Sequence, residues 1–289
     1  MNRKALALYL TCAVAWGVPY AFIRIALTGF QPASIVFARV VIGAAVLIPL
    51  SARRGGLKGA FKHWRWILAF ALIEMAGPWI LLTSAEQHIT SSLASLLVST
   101  VPFFGVPAAY IAGDKTVFHR KTLLGLAIGF AGVIALIGID AFAHAVNPIW
   151  VGAMLLAALG YAIAPLIVDH KLGHVSAPAV AGISMAMVAV IYAVPGILGF
   201  AQLTSKPAPT DAWLALAALG LISTALAFTA FFKLIAEVGS GRAGTIVYLN
   251  LAVAFALGVL FLKEPITTGF LVGMPLVIAG SWLASRKHA

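Results

Sequence analysis

Long apolar runs separated by short polar breaks dominate this chain and constrain its fold more than any other feature. The runs number ten, and each is close to the roughly 20 residues that an α-helix needs to cross a bilayer. The predicted helices cover residues 4–27, 32–51, 65–84, 90–112, 120–138, 148–168, 176–200, 211–235, 241–262 and 266–285. Only 9% of the residues are charged, whereas soluble domains carry about 25%. The sequence therefore predicts an all-α integral membrane protein with ten transmembrane helices.

The basic residues predict the orientation of these helices. With a cytoplasmic N-terminus, 15 of the 19 lysines and arginines fall on the inside. Three fall on the outside, Arg24, Lys206 and Lys263, while Arg39 lies within a helix. This asymmetry is typical of multi-pass membrane proteins, whose cytoplasmic loops are rich in basic residues. We therefore predict a protein of the cell inner membrane with both termini cytoplasmic, and we interpret the net charge of +11 as a topology signal rather than as nucleic-acid binding.

The first apolar run and the only cysteine limit other interpretations. The run after Lys4 is too long for the apolar region of a signal peptide and has no clean cleavage site, so it is interpreted as the first helix. Cys12 lies within that run. A single cysteine excludes intramolecular disulfides and cysteine-based metal sites.

Similar patterns recur in the two halves of the chain. The equivalent positions are Asp114 and Glu264, Gly125 and Gly273, Gly132 and Gly280, and Trp16 and Tyr161. These pairs predict two repeats, residues 1–145 and 146–289, with five helices each. Because five is odd, the repeats would enter the membrane in opposite orientations, which suits a transporter that works by alternating access.

The ordered set of motifs resembles the drug/metabolite transporter superfamily, and within it the EamA-type ten-helix exporters. The resemblance rests on "AVAWGVPYAFIR", "QPASIVFAR", "STVP" and the paired patterns "GDK…GLAIGFAG" and "KEP…GFLVGMPLVIAG". The sequence is most similar to the aromatic amino-acid exporters, including the glutamate in the third helix. It departs from the family at Leu251–Ala252, where a proline is usual. The resemblance implies a central cavity lined by helices of both halves, with the fifth and tenth helices in a more structural role.

A carboxylate and a guanidinium are predicted at similar depths within the membrane. Glu74 lies near the middle of the third helix, and Arg39 lies in the second. A charge at that depth costs about 2.5–3.5 kcal/mol on insertion scales, so Glu74 should face the protein interior or a wet cavity. Two compatible hypotheses follow: a structural ion pair between Arg39 and Glu74, and a role for Glu74 in binding a substrate ammonium group or a proton.

The residues after Glu74 weaken its helix. Proline removes a backbone donor, and Gly77 permits close approach of a neighbouring helix. Pro78 and Trp79 could therefore form a cavity wall, or the proline could mark an ordinary kink packed against the fourth helix.

Aromatic and polar residues inside other helices complete the candidate cavity lining. They are Trp16, Tyr20, Ser95, Ser99, Tyr161, Tyr248 and Asn250. Tryptophan and tyrosine usually anchor helix ends at the membrane interface, so their deeper positions here favour a cavity. For the serines and the asparagine, hydrogen bonds between helices are the main alternative.

The remaining motifs predict neither a cofactor nor an enzyme. "GSGRAG" at 239–244 lacks the strand context of a dinucleotide site, and "HKLGH" at 170–174 lacks the glutamate of a zinc protease. The seven histidines fall near loops or termini, where none is placed to activate a buried serine. We therefore predict a secondary transporter, monomeric or weakly dimeric, that exports amino acids. Export of drugs, nucleotides or sugars is the first alternative, and an intramembrane enzyme is the second.

Overall fold

A computed structural model describes residues 3–53, 55–113, 115, 119–144, 147–204, 207–238 and 246–285. It describes the backbone alone at positions 58, 136–144, 204, 248, 284 and 285. Every regular element within these ranges is helical. The prediction of an all-α protein is therefore confirmed.

The long helical segments follow the predicted runs to within a few residues. In chain order they are α1 Arg3–Ala26, α2 Pro32–Arg53, α3 Trp64–Ala85, α4 Ser91–Ile111, α5 Arg120–His144, α6 Pro148–Leu172, α7 Ala177–Ala201, α8 Thr210–Val238, α9 Ile246–Leu260 and α10 Thr268–Ser285. A short helix, Leu57–Phe61, lies between α2 and α3, and a 3₁₀ turn, Gln202–Thr204, follows α7.

Within the described ranges, seven of these segments are long and apolar enough to cross a bilayer: α1 to α4 and α6 to α8. Shorter apolar stretches, Leu249–Leu260 and Thr268–Leu283, lie in α9 and α10. Large apolar side chains such as Leu10, Val190 and Leu271 are exposed on the helices. An exposed apolar surface of this kind suits contact with lipid tails, which are as apolar as leucine.

Two helices contain a π-helical turn near their middle. In α3 the turn is Ala71–Ala76, where the Gly77 N–H donates to the carbonyl of Leu72, five residues earlier. Pro78 follows directly, and since proline has no N–H it cannot donate to the carbonyl of Glu74. The sequence-based expectation of a weakened helix here agrees with this geometry. In α8 the turn is Leu221–Leu226. Such turns occur frequently at functional sites.

The main helix contacts are symmetric between the two halves of the chain. Helix α1 packs on α8 and α9, and its counterpart α6 packs on α3 and α4. Helix α2 packs along α7, and α5 packs along α10. Each of these contacts thus has an equivalent made by the counterpart helices of the other half.

Small residues set the close approach of α5 and α10. A Cβ atom added at Gly280 would lie 2.5 Å from the carbonyl oxygen of Gly125 and closer still to the nitrogen of Gly129. A Cβ at Gly132 would lie 2.9 Å from the carbonyl oxygen of Gly273. Gly125 and Gly129 of "GLAIG" and Gly273 of "GFLVG" therefore lie at a helix–helix contact within one chain, where small residues let backbones approach.

Candidate functional site

Arg39 links three helices in the interior of the protein. Its side chain is 7% exposed, and its Nε donates to the Thr224 hydroxyl at 2.8 Å. The guanidinium lies over the ring of Trp79, 3.8 Å from the ring centre. The Thr224 hydroxyl in turn donates to the carbonyl of Leu219 at 2.9 Å. Arg39 of α2 is thus held by an aromatic face of α3 and by the π-helical turn of α8, through a cation–π contact and a charge-assisted hydrogen bond.

The predicted ion pair between Arg39 and Glu74 is not formed. Among the described residues, the ion pair that is present joins Lys4 of α1 to Glu237 of α8. The guanidinium of Arg39 instead lies against Trp79 and binds Thr224, whose neutral hydroxyl meets part of its hydrogen-bonding need. The sequence predicts similar membrane depths for Arg39 and Glu74. They do not pair, because the arginine side chain is directed towards Trp79 and Thr224.

Glu74 lies in the π-helical turn of α3 and is half-buried. It interacts electrostatically with Tyr161 of α6, which also interacts with Tyr20 and Arg39. The Trp79 side chain lies next to the Tyr161 hydroxyl. Five of the residues considered from sequence therefore come together. This central cluster consists of Tyr20, Arg39, Glu74, Trp79 and Tyr161.

The other predicted cavity residues have different surroundings. Trp16 packs on Phe228 and Phe231 of α8, with ring centres 5.7 Å and 4.6 Å away. Pro78 is buried and packs against α6, since a Cβ at Gly160 would lie 2.8 Å from its Cγ. Both residues thus contribute to packing between helices.

The polar candidates on α4 form hydrogen bonds within their own helix. The hydroxyl of Ser95 donates to the Ser92 carbonyl at 2.8 Å, and that of Ser99 donates to the Leu96 carbonyl at 2.6 Å. Asn250 is half-buried on α9. The side chain of Tyr248 lies outside the described residues. A groove of about 890 Å³ between α1, α9 and α10 contains none of the residues predicted to line the cavity.

A second polar cluster, which sequence reasoning missed, lies at one end of the helices. This cluster, here called the Arg24 end, comprises Arg24, Glu86, Ser91, Ser92 and Glu264. The Glu264 carboxylate accepts hydrogen bonds from the backbone and hydroxyl of Ser91 at 2.7 and 2.8 Å. It accepts two more from Ser92, at 3.0 Å from the backbone and 2.6 Å from the hydroxyl. The carboxylate thus caps the N-terminus of α4, where a negative charge is favourable.

Glu86 is the most deeply buried carboxylate of the Arg24 end. It directly follows the last residue of α3 and is 0% exposed, and Arg24 donates to its backbone carbonyl. Burial raises the pKa of the Glu86 carboxyl well above its usual range, and the nearby charge of Glu264 raises it further, whereas Arg24 and Arg39 lower it. The "TSS" at 90–92, which resembles a helix N-cap, was the available sequence signal for this cluster.

Gly258 leaves the space that the Glu264 cap needs. A Cβ at this position would lie 2.5 Å from Oε2 of Glu264 and closer still to the hydroxyl of Ser92. We expect Gly258→Ala to displace the carboxylate from Ser92 and to lower the free energy of unfolding by about 1.5–3 kcal/mol, the usual contribution of hydrogen bonds to charged groups. Denaturation of the purified protein in detergent measures this change.

The test of this cap is a double-variant cycle. If both substitutions act on one contact, Gly258→Ala should destabilise Glu264→Gln much less than it destabilises the original protein. Additive effects of the two substitutions would contradict the account of the cap.

Comparison with known proteins places this architecture in a family. Residues 3–138 and again 148–286 match the EamA-like transporter family. A solved crystal structure superposes with a TM-score of 0.66 at 20% identity, covering 98% of this chain and 97% of that one, which supports the fold.

Several relatives are similar over most of their length. A probable terminal-alkyne amino-acid exporter of Streptantibioticus cattleyicolor is 25% identical over 99% of this chain and 95% of its own. The uncharacterized inner membrane transporter YedA of Escherichia coli K12 is 26% identical over 85% of this chain and 78% of its own. The uncharacterized transporter YoaV of Bacillus subtilis is 23% identical over 97% and 96%, respectively. This chain is therefore a multi-pass membrane protein that belongs to the EamA-like transporter family.

Proposed function

We propose that this protein is a secondary transporter that exports small metabolites, and that its substrates are amino acids with apolar or aromatic side chains. The observation that supports this proposal best is the central cluster, in which charged and aromatic groups of α1, α2, α3 and α6 meet inside a membrane protein. Ionisable residues within membrane spans are costly, and they commonly mark the path of a substrate or an ion.

The chemistry of the central cluster suits a zwitterion with an apolar side chain. Glu74 has no cationic partner within 4 Å in the described part of the chain, so its carboxylate is available to a substrate ammonium group. Trp79 and Tyr161 supply aromatic surface beside it. Arg39 stacks on Trp79 and thereby fixes the orientation of that ring. The name of the Streptantibioticus relative supports amino acids as the substrate class.

The proposed mechanism is alternating access between two inverted repeats. We assign residues 1–145 to the first repeat and 146–289 to the second, with ten transmembrane helices in all. The exchange-symmetric packing of the helices and the two successive family matches support this division. We place both termini in the cytoplasm of a cell with an inner membrane, and we assign a monomer or weak homodimer as the working unit. Movement of one repeat against the other would open the central cluster to each side in turn.

Uptake by the purified protein in liposomes tests the proposed substrate class. The panel comprises labelled phenylalanine, leucine and other amino acids, with a nucleotide, a sugar and a cationic drug as comparison compounds. We expect uptake of several apolar or aromatic amino acids, each reduced by the others in excess. Transport of a comparison compound alone would overturn the substrate class, and recovery of a chemically altered label would favour an intramembrane enzyme.

The two serines of α4 provide a contrasting prediction. Because their hydroxyls donate within α4, Ser95→Ala and Ser99→Ala should change amino-acid uptake less than twofold. Each should cost about 0.5–1.5 kcal/mol of stability, the usual net contribution of one hydrogen bond. Uptake per mole of folded transporter measures the effect. A large loss of uptake with unchanged stability would show that these hydroxyls contact the substrate.

A further inference from the structure

The carboxyl group of Glu86 is buried without a hydrogen-bond partner. The side chain is 0% exposed, and among the residues that the structure describes neither Oε1 nor Oε2 has a partner. An ionised carboxylate in such a place loses its hydration and gains no hydrogen bond in return. A protonated carboxyl carries no charge and is far less costly to bury. The geometry therefore favours the acid form of Glu86.

Neither of the two arginines near Glu86 binds its carboxyl group. Arg24 donates to the backbone carbonyl of Glu86 rather than to its carboxyl group. Arg39 lies on Trp79 and binds Thr224. Its positive charge still interacts electrostatically with Glu86. Tyr20 of α1 is buried and interacts with Glu86 electrostatically.

Glu264 is the second carboxylate at the Arg24 end, and its existing hydrogen bonds argue against a metal cation shared with Glu86. Both oxygens of Glu264 already accept two hydrogen bonds each, from Ser91 and Ser92. A metal cation bound to oxygen needs several ligands, and Glu86 alone supplies at most two. A proton needs one oxygen only. The negative charge of the Glu264 carboxylate also disfavours a second charge on Glu86.

We propose that Glu86 is a proton-binding site that must be occupied for the Arg24 end to close. This proposal deepens the proposed transport function and rests on it for its biological meaning. When the Arg24 end opens, the carboxyl meets water and releases its proton to a water molecule. Before the end closes, the carboxylate takes a proton back from hydronium. Protons thereby act as the ligand that controls access at this end.

The sign of the pH dependence follows from thermodynamic linkage. The carboxyl binds its proton more tightly when buried than when exposed to water, so low pH stabilises the closed arrangement. High pH removes the proton and favours the open arrangement. The uncharged amide of Glu86→Gln mimics the protonated acid and should hold the end closed at every pH.

Spin labels test this prediction without any substrate. Labels are placed at Gln87, in the turn between α3 and α4, and at Ile266, in the turn between α9 and α10. Both positions are exposed, and Cys12 is replaced so that labelling is specific. Pulsed dipolar distances in liposomes should lengthen as the pH rises in the otherwise unchanged protein. They should stay short in Glu86→Gln, and the surface control Glu237→Gln should behave like the original protein.

Infrared spectroscopy detects the proton directly. The protein should show the carbonyl stretching band of a buried carboxylic acid at neutral pH. The band that remains in the Glu74→Gln protein is assigned to Glu86. This component should be absent from the spectrum of the Glu86→Gln protein. If Glu86→Gln does not fold, the Glu74→Gln protein still decides the matter, because the remaining band must titrate together with the spin-label distance.

Two results would overturn the proposal: absence of an acid band due to Glu86, or distances that lengthen with pH equally in Glu86→Gln. Neither readout requires amino-acid transport. A failure of the proton site is therefore distinguishable from a failure of the proposed substrate, which the uptake panel tests separately.

Discussion

Replacing Glu74 by glutamine should reduce amino-acid uptake at least tenfold while the protein still inserts into the membrane and folds. The amide has nearly the same shape as the carboxylate but lacks its charge. A hydrogen bond to a charged group contributes about 1.5–3 kcal/mol, and 1.4 kcal/mol corresponds to a tenfold change. The measurement is initial uptake of labelled phenylalanine or leucine by proteoliposomes, normalised to the amount of folded protein.

The matched control for this substitution is Glu237→Gln. Glu237 carries the same side chain but forms an ion pair with Lys4 at the surface, away from the central cluster. We expect Glu237→Gln to retain uptake within twofold, since exposed ion pairs contribute little. Full uptake by folded Glu74→Gln protein would contradict the role that we assign to Glu74.

The second large effect concerns folding rather than transport. Gly280→Ala should destabilise the protein by about 1–3 kcal/mol, the usual cost of overpacking a close contact. The added methyl group would meet backbone atoms of Gly125 and Gly129, which cannot rotate away, so α5 and α10 must separate. Unfolding in detergent with increasing denaturant measures the loss.

Gly152→Ala is the control for that substitution. Gly152 also lies within a helix, but a Cβ there would meet nothing within 4 Å. Alanine should therefore be neutral, or stabilising by up to about 1 kcal/mol through its higher helix propensity. Equal stability of the Gly280→Ala protein and the original protein would show that α5 and α10 are not in tight contact at this position.

Helix positions were predictable because they depend on local apolar length. The predicted run 32–51 corresponds to α2 at Pro32–Arg53, and the run 148–168 corresponds to α6 at Pro148–Leu172. The weakened region of α3 was also predictable, since Pro78 removes a backbone donor whatever its surroundings. Such features require no knowledge of which helices are neighbours.

Side-chain partners were harder to predict because they depend on direction as well as depth. Arg39 and Glu74 have similar depths in the sequence, yet Arg39 points towards Thr224, 185 residues later in the chain. No local pattern marks Thr224 as a partner. For Ser95 the sequence left hydrogen bonds between helices open, whereas the structure shows a bond within α4.

The Arg24 end shows a different limit of sequence reasoning. Glu86 lies just beyond an apolar run, where a charged residue normally marks a solvated helix end. Only the packing of α1, the α3–α4 turn and the α9–α10 turn reveals that its carboxyl is buried. In the sequence Glu264 is marked only by its match to Asp114 between the repeats. Its role as a helix cap depends on Ser91, 173 residues away.

Equilibrium binding tests the central claim most directly, because it separates substrate recognition from the later steps of transport. The ligand is the labelled amino acid that the panel shows to be transported best. The proteins are the original transporter, Glu74→Gln and Ser95→Ala, all purified in detergent. We predict at least tenfold weaker binding by Glu74→Gln and unchanged binding by Ser95→Ala. Equal affinity of all three folded proteins would contradict the assignment of the central cluster as the substrate site.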